Sequence, residues 1–256
     1  MRVSDAASFR AAECLVELFR SHQPAVALTG AGISTESGIP DFRSAKGVWA
    51  KVDPLEVAHI DAFLADPAKV WDFYAKRLDV VGSAEPNDGH RALAELEARG
   101  WLSGVITQNV DGLHERAGTR ELVEVHGSLD AARCLRCGVT VNREELTELL
   151  PLPECPECGR ILKPGVVMFG EYLPEAALQK ARRLAGEAQL LLVVGSSLEV
   201  YPVAALPEET LANGGALAIV NRGGTPWDER AEVVLDAGAG EILRAVAEAL
   251  AAVPDQ

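Results

Sequence analysis

Four short apolar runs, each preceded by a stretch of helical spacing, limit what this chain can fold into more than any other feature. Residues 25–29, 104–107, 190–194 and 217–220 are rich in Val, Ile, Leu and Ala and too short to be buried helices. The stretches before them cover about 4–21, 92–99, 175–185 and 203–213. Apolar strands alternating with helices predict an α/β fold, a parallel sheet with helices on both faces. The first helix is expected to place Ala7, Ala11, Cys14, Leu15 and Leu18 on one apolar stripe, with Cys14 in the core. The last, at about 240–252, turns Ile242, Val246, Ala249 and Leu250 to one side.

Two stretches interrupt the rhythm. Residues 42–86 read as helical and aromatic-rich (Trp49, Phe63, Trp71, Phe73, Tyr74), and residues 128–163 hold two Cys-x-x-Cys pairs. Both are expected to leave the sheet and pack together. The sheet domain then comprises 1–41, 87–127 and 164–256, and the small domain a helical lobe at 42–86 and a metal lobe at 128–163. A cleft between the two is the default ligand site.

Charge and length exclude several classes. Lys+Arg number 24 against 38 Asp+Glu, a net charge of −14, which disfavours nucleic acid and anionic lipid as direct partners. No apolar run approaches the ~20 residues that cross a bilayer. The first twenty residues carry charges throughout and lack a signal peptide's apolar region, so a cytoplasmic protein is expected.

Cys134, Cys137, Cys155 and Cys158 form two pairs seventeen residues apart. That spacing is a strong zinc signature, and four thiolates leave no open position, so one structural Zn²⁺ is expected. Residues 134–163 contain few basic groups and no aromatic, which disfavours a nucleic-acid-binding ribbon.

The turn Gly30-Ala31-Gly32-Ile33-Ser34 follows the first strand and could bring backbone N–H groups close to a phosphate. It departs from the usual dinucleotide fingerprint: Thr35 replaces the third glycine, and no acid ends a strand about 20 residues on. In Pro40-Asp41-Phe42-Arg43 the two charges could pair with each other or face a ligand. Gly195-Ser196-Ser197 follows another apolar strand and offers further donors. Asn109, Asp111 and Asn221 stand at strand ends, where turn formation is the alternative to ligand contact. His126 ends the apolar-alternating stretch Leu122, Val123, Val125 beside a glycine, at the junction of the domains. An ordinary pKa of about 6.5 would suit it to general-base work.

Taken together, the motifs resemble those of the sirtuins, NAD-dependent protein-lysine deacylases. The resemblance rests on Gly30 to Arg43 (GAGISTESGIPDFR), Thr107 to His114 (TQNVDGLH), His126-Gly127, Gly195 to Leu198 with Val200-Tyr201-Pro202, Asn221, and Ala239 to Ile242. These stand in family order over about residues 26–243. The resemblance implies a Rossmann-like sheet domain, a small domain with helical and zinc lobes, and NAD consumed as co-substrate. Acylated-lysine proteins or peptides would be the partners, and nicotinamide and O-acyl-ADP-ribose the products.

It also implies roles. His126 takes a proton from an NAD ribose hydroxyl, with Asn109 beside the reacting centre. NAD contacts fall to Gly30, Ala31, Gly32, Ser34, Asp41, Phe42, Arg43, Trp49, Gln108, Val110, Asp111, Gly195, Ser196, Ser197, Asn221, Arg222, Gly223 and Ala239. Val167, Phe169 and Gly170 border the peptide. Gly165 and Met168 depart from the family's usual polar and aromatic residues, which bears on peptide preference. Tyr74 and Arg77, at i and i+3 on one helical face, look like the subclass accepting dicarboxylic acyl groups, because a guanidinium could pair with a succinyl or malonyl carboxylate. Asp41 points instead toward acetyl removal, so dual activity is expected. Protein ADP-ribosyl transfer, or a non-catalytic NAD-sensing zinc module, would use the same motifs.

Overall fold

The computed structural model describes residues 5–252, with side chains described from residue 12. Its strands, in chain order, are β1 (Ala25–Thr29), β2 (Val105–Thr107), β3 (Leu122–Glu124), β4 (Gly127–Arg133), β5 (Thr140–Asn142), β6 (Lys163–Val166), β7 (Leu190–Val194), β8 (Ala216–Val220) and β9 (Val233–Leu235). Six form a parallel sheet in the order β3-β2-β1-β7-β8-β9. Alternate residues of β1, β7 and β8 enter different cores. Ala25, Ala27, Leu190, Leu192 and Ala218 meet the helices Asp5–Ser21, Asp88–Ala98 and Ala239–Ala251. Val26, Leu28, Leu191, Val193 and Ile219 meet Glu175–Glu187 and Leu206–Ala212 on the other face. Burial on both sides explains why these strands read as continuous apolar runs.

The first helix corrects one expectation: Cys14 is exposed. Its buried stripe is Ala12, Leu15, Val16, Leu18 and Phe19. With 3.6 residues per turn, position 14 points opposite to 12, 16 and 19. Ala7 and Ala11 lie outside the described side chains. The stretch 203–213 divides into a tight turn, Val203–Ala205, and the helix Leu206–Ala212.

The interruption at 42–86 is helical: Pro54–Val57, Ile60–Ala65 and Pro67–Ser83. That at 128–163 contributes most of a second sheet, antiparallel, in the order β5-β4-β6. Both share a third core containing Phe63, Trp71, Leu78, Leu146, Leu162 and the buried Cys134 and Cys155. Trp71, 1 % exposed, also donates Nε1–H to the Leu162 carbonyl at 2.7 Å.

Candidate functional site

From β1 the chain proceeds to β2 on one side, and β7 lies on the other, so the sheet opens a crevice beyond the carboxyl ends of β1 and β7. The loops leaving these strands touch: the Gly32 N–H donates to the Gly195 carbonyl at 2.8 Å. A Cβ on Gly32 would stand 2.7 Å from Gly195 Cα, and Gly195 has φ 61°, so side chains at either position would force the loops apart. Asn87, capping Asp88–Ala98, ties that helix to the first loop through Nδ2–H bonds to the Ile33 carbonyl (2.7 Å) and Ser37 Oγ (2.9 Å).

A cleft of about 930 Å³ lies between these loops, the helical lobe and the segment after β6. It gathers Gly30, Ala31, Gly32, Asp41, Phe42, Arg43, Trp49, Tyr74, Arg77, Gln108, Asn109, Val110, His126, Val167, Phe169, Gly170, Gly195, Ser196, Ser197, Asn221, Arg222 and Ala239. Met168 lines it too, whereas Ser34, Asp111 and Gly223 do not.

Ser34 and Asp111 lie buried behind Asn109. The Ser34 hydroxyl donates to Asp111 Oδ2 at 2.7 Å and accepts from Asn109 Nδ2 at 3.0 Å. Burial raises the Asp111 carboxyl pKa against the opposing Leu113 N–H, Ser34 hydroxyl and Arg77 charge. Deeper still, burial lowers His90 to about 4, with Arg91 adding, and lowers His114 to about 3, with His90 adding. Both imidazoles are neutral at pH 7.

His126 Nδ1 lies 3.0 Å from the Gln108 carbonyl oxygen. A carbonyl only accepts, so Nδ1 carries the proton and Nε2 keeps its lone pair. Burial lowers the pKa of His126; the Gln108 carbonyl opposes this and the Arg43 charge adds to it. Gln108 also donates Nε2–H to Ser196 Oγ at 2.8 Å, linking the β2 and β7 loops.

Asp41 and Arg43 do not pair with each other. Asp41 Oδ1 accepts the Ser44 N–H at 2.9 Å, while Arg43 Nε is 3.4 Å from Glu199. Glu199 lines the cleft and had no local signal in the sequence, being one exposed acid among many. Asn221 both lines the cleft and closes its own turn, donating to the Gly223 carbonyl at 3.0 Å.

On the helical side, Phe42 stacks on Trp49 (5.0 Å) and Trp49 on Phe73 (6.2 Å). The Arg77 guanidinium lies 4.9 Å from the Phe42 ring centre and 5.8 Å from that of Phe73. Among the described residues no carboxylate comes within ion-pair distance of it. Burial lowers its pKa, with Tyr74 and Asp111 opposing; burial raises that of the Tyr74 phenol.

The four Sγ atoms of Cys134, Cys137, Cys155 and Cys158 lie within 4.8 Å of one another, away from the cleft. Cys134–Cys158 and Cys137–Cys155 are each 3.5 Å apart. Zn–S bonds of ~2.3 Å in a tetrahedron need S–S edges of about 3.8 Å, so the cluster fits a structural zinc closely.

Comparison with known proteins agrees with this geometry. The Sir2 family matches residues 30–202. The chain is 45 % identical to NAD-dependent protein deacylase 1 of Archaeoglobus fulgidus over 90 % of this chain and 94 % of that protein. It is likewise 45 % identical to the NAD-dependent protein deacetylase of Caldivirga maquilingensis, over 88 % of each. Among solved structures, a Sir2 homologue in complex with NAD superposes with TM-score 0.88 at 44 % identity, covering 93 % of both chains. A Sir2 protein with deacetylated p53 peptide and 3'-O-acetyl ADP ribose gives TM-score 0.88 at 40 % identity, covering 93 % of this chain and 97 % of that one.

Proposed function

The chain belongs to the Sir2 family, and on that premise we propose that its cleft performs NAD-dependent deacylation of protein lysines, accepting acetyl and also succinyl or malonyl groups. The general reading rests on His126, whose proton sits on Nδ1 and whose Nε2 is a free base in the cleft. The acyl reading rests on Arg77, a half-buried cation without a carboxylate partner among the described residues.

When bound, NAD supplies a cationic nicotinamide leaving group and the ribose hydroxyls. The protein's part is placement and proton transfer, and placement alone can contribute roughly 7–11 kcal/mol. In the two glycine loops the N–H groups of Gly30, Gly32 and Gly195 are engaged by backbone carbonyls, which leaves those of Ala31, Ser196 and Ser197, with the Ser196 hydroxyl, as donors to phosphate and ribose. Asn109, held by the buried Ser34–Asp111 pair, orients the nicotinamide end. His126 Nε2 accepts a ribose hydroxyl proton while the Gln108 carbonyl keeps the ring in position. Arg77 receives the distal carboxylate of a dicarboxylic acyl chain, with Tyr74 beside it. The four thiolates would hold zinc as a brace. A cytoplasmic location belongs to the same reading, since a reducing compartment keeps such thiols free to bind metal.

Mass spectrometry with NAD and acetyl-, malonyl- and succinyl-lysine peptides tests the proposal. Nicotinamide and O-acyl-ADP-ribose are expected in equal amounts, with all three peptides consumed. ADP-ribosylated protein without peptide turnover would favour transferase activity, and consumption of the acetyl peptide alone would remove the role given to Arg77.

A further inference from the structure

The segment from Lys163 to Glu171 is organised by a buried cation that the proposed chemistry does not use. Lys163 is 6 % exposed, and its Nζ donates to the Val166 carbonyl at 2.6 Å and the Pro164 carbonyl at 3.0 Å. It also meets Glu171 Oε2 at 3.0 Å, and that oxygen accepts the Met168 N–H at 2.8 Å. An ammonium has three donors, and here all three have acceptors on its own segment. Such complete pairing is what makes a buried lysine tolerable; a methionine would fill the space at less desolvation cost but could hold none of these oxygens.

The peptide group joining Val166 to Val167 is gripped at both ends. Its oxygen accepts a hydrogen bond from the Lys163 ammonium, and its N–H donates to the backbone carbonyl of His126 at 2.8 Å. Further on, the Phe169 N–H donates to the Ala58 carbonyl at 2.8 Å, and the Phe169 carbonyl accepts from Ile60 at 3.0 Å. The segment therefore spans from the backbone of the proposed base to the helical lobe, while Val167, Met168, Phe169 and Gly170 line the cleft.

We propose that Lys163 and Glu171 are positioning residues for the deacylation reaction, fixing the 166–170 wall against His126 so that the acyl-lysine peptide meets a preformed surface. This rests on the deacylase reading. Lys163 touches no reacting atom; it acts through the Val166–Val167 peptide group and the Met168 N–H that Glu171 holds.

The test compares Lys163→Met and Glu171→Gln with the unaltered protein. NAD and an acetyl-lysine peptide are varied separately, and melting temperature and amide exchange across 166–169 are measured. Because hydrogen bonds to a charged group are lost, Lys163→Met should raise peptide KM roughly ten- to hundredfold, while KM for NAD changes little. Glu171→Gln keeps an acceptor for Met168 and should show a smaller rise in peptide KM. Exchange should quicken at Val167 and Met168 and stay slow in β1 and β7. Unchanged peptide KM would overturn the proposal. So would parallel rises in both KM values with a lower melting temperature, which would mark Lys163 as a general support of the fold. If the unaltered protein consumes no acyl-lysine, the deacylase reading fails and the positioning role with it; exchange at Val167 would still report whether the grip exists.

Discussion

The two walls of the cleft are built by different physics. On the sheet side, Gly30–Gly32, Asn109 and Gly195–Ser197 sit at strand ends whose positions follow from continuous apolar burial on both faces. On the other side, Tyr74 and Arg77 ride on Pro67–Ser83, which packs into the third core shared with the cysteine ribbon and is fastened there by a few specific links. Trp71 bonds Leu162 beyond the cysteine ribbon, and Arg143 joins Asp130 (2.5 Å) to the Leu78 carbonyl (3.2 Å). Apart from the Gly32–Gly195 contact, a wall set by burial on two sheet faces changes little with any one conservative substitution. A wall whose one core is closed by a metal site and two or three polar links can be moved, or lost, at one of those residues. This places the machinery expected to be invariant on the sheet and the groups expected to tune acyl choice on the small domain.

Metal removal should break the symmetry between the walls most severely. Structural zinc is worth on the order of 10–16 kcal/mol in small zinc domains, so Cys134→Ala or Cys158→Ala should abolish metal binding and unfold β4–β6. Deacylation should be lost while amide protection in β1, β7 and β8 survives. Elemental analysis with hydrogen exchange checks this, and uniform loss of protection would show that the sheet also depends on the metal.

His126→Ala makes the opposite cut. Turnover should fall by about 10²–10⁴ with melting temperature nearly unchanged, because a positioned base is removed without touching a core. Near-normal turnover would remove His126 from the chemistry.

The contrast also explains which features were legible in the sequence. Strands buried on both faces announce themselves as apolar runs, so β1, β2, β7 and β8 could be placed within a residue, and paired cysteines at fixed spacing declare a metal cluster. The edge strand β9 is an apolar run, Val-Val-Leu, but only three residues long, with Val234 exposed and no stretch of helical spacing before it to mark a strand. In the small sheet, β6 reads Lys-Pro-Gly-Val, with neither alternation nor an apolar run. Cys14 was misplaced because a stripe containing Leu15 and Leu18 can be drawn through either flank of the helix. Long-range polar partners were invisible: nothing local ties Arg43 to Glu199, or Ser34 to Asp111. Composition cannot rank such pairings, which depend on where the fold brings two loops.

Arg77 sharpens the comparison at smaller scale. Arg77→Met should lower kcat/KM for succinyl-lysine peptide roughly ten- to hundredfold through loss of charge-assisted hydrogen bonds, and leave acetyl-lysine nearly unchanged. Tyr74→Phe should do the same more weakly. Equal losses on both substrates would assign Arg77 to support of the aromatic stack with Phe42 and Phe73.

The smallest expected effect is a shift along the pH axis. The acid limb of kcat/KM reports the base of the free enzyme, which must be neutral to accept a proton. His126 is held below the ordinary value of about 6.5, chiefly by burial and secondarily by Arg43, while the Gln108 carbonyl raises it. The limb should therefore fall below pH 6.5. Arg43→Gln removes only the lesser lowering influence, so the limb should move to higher pH yet stay below 6.5, whatever happens to the level of activity. A limb above 6.5 in this variant would mean that charge, not burial, sets the base. Stability must be followed in parallel, because it too depends on pH on the acid side. His90 and His114 titrate at about 4 and about 3 when folded, lower than when unfolded. Below pH 6.5 the unfolded chain binds more protons, so this stability is complete above 6.5 and declines as pH falls toward those values. A sheet-side wall that loosens on the same acid side as the catalytic limb would merge the two effects. Melting curves for the unaltered protein and for Arg43→Gln should superimpose at each pH, because Arg43 is exposed and contributes little there. Any remaining displacement of the limb then belongs to His126 itself.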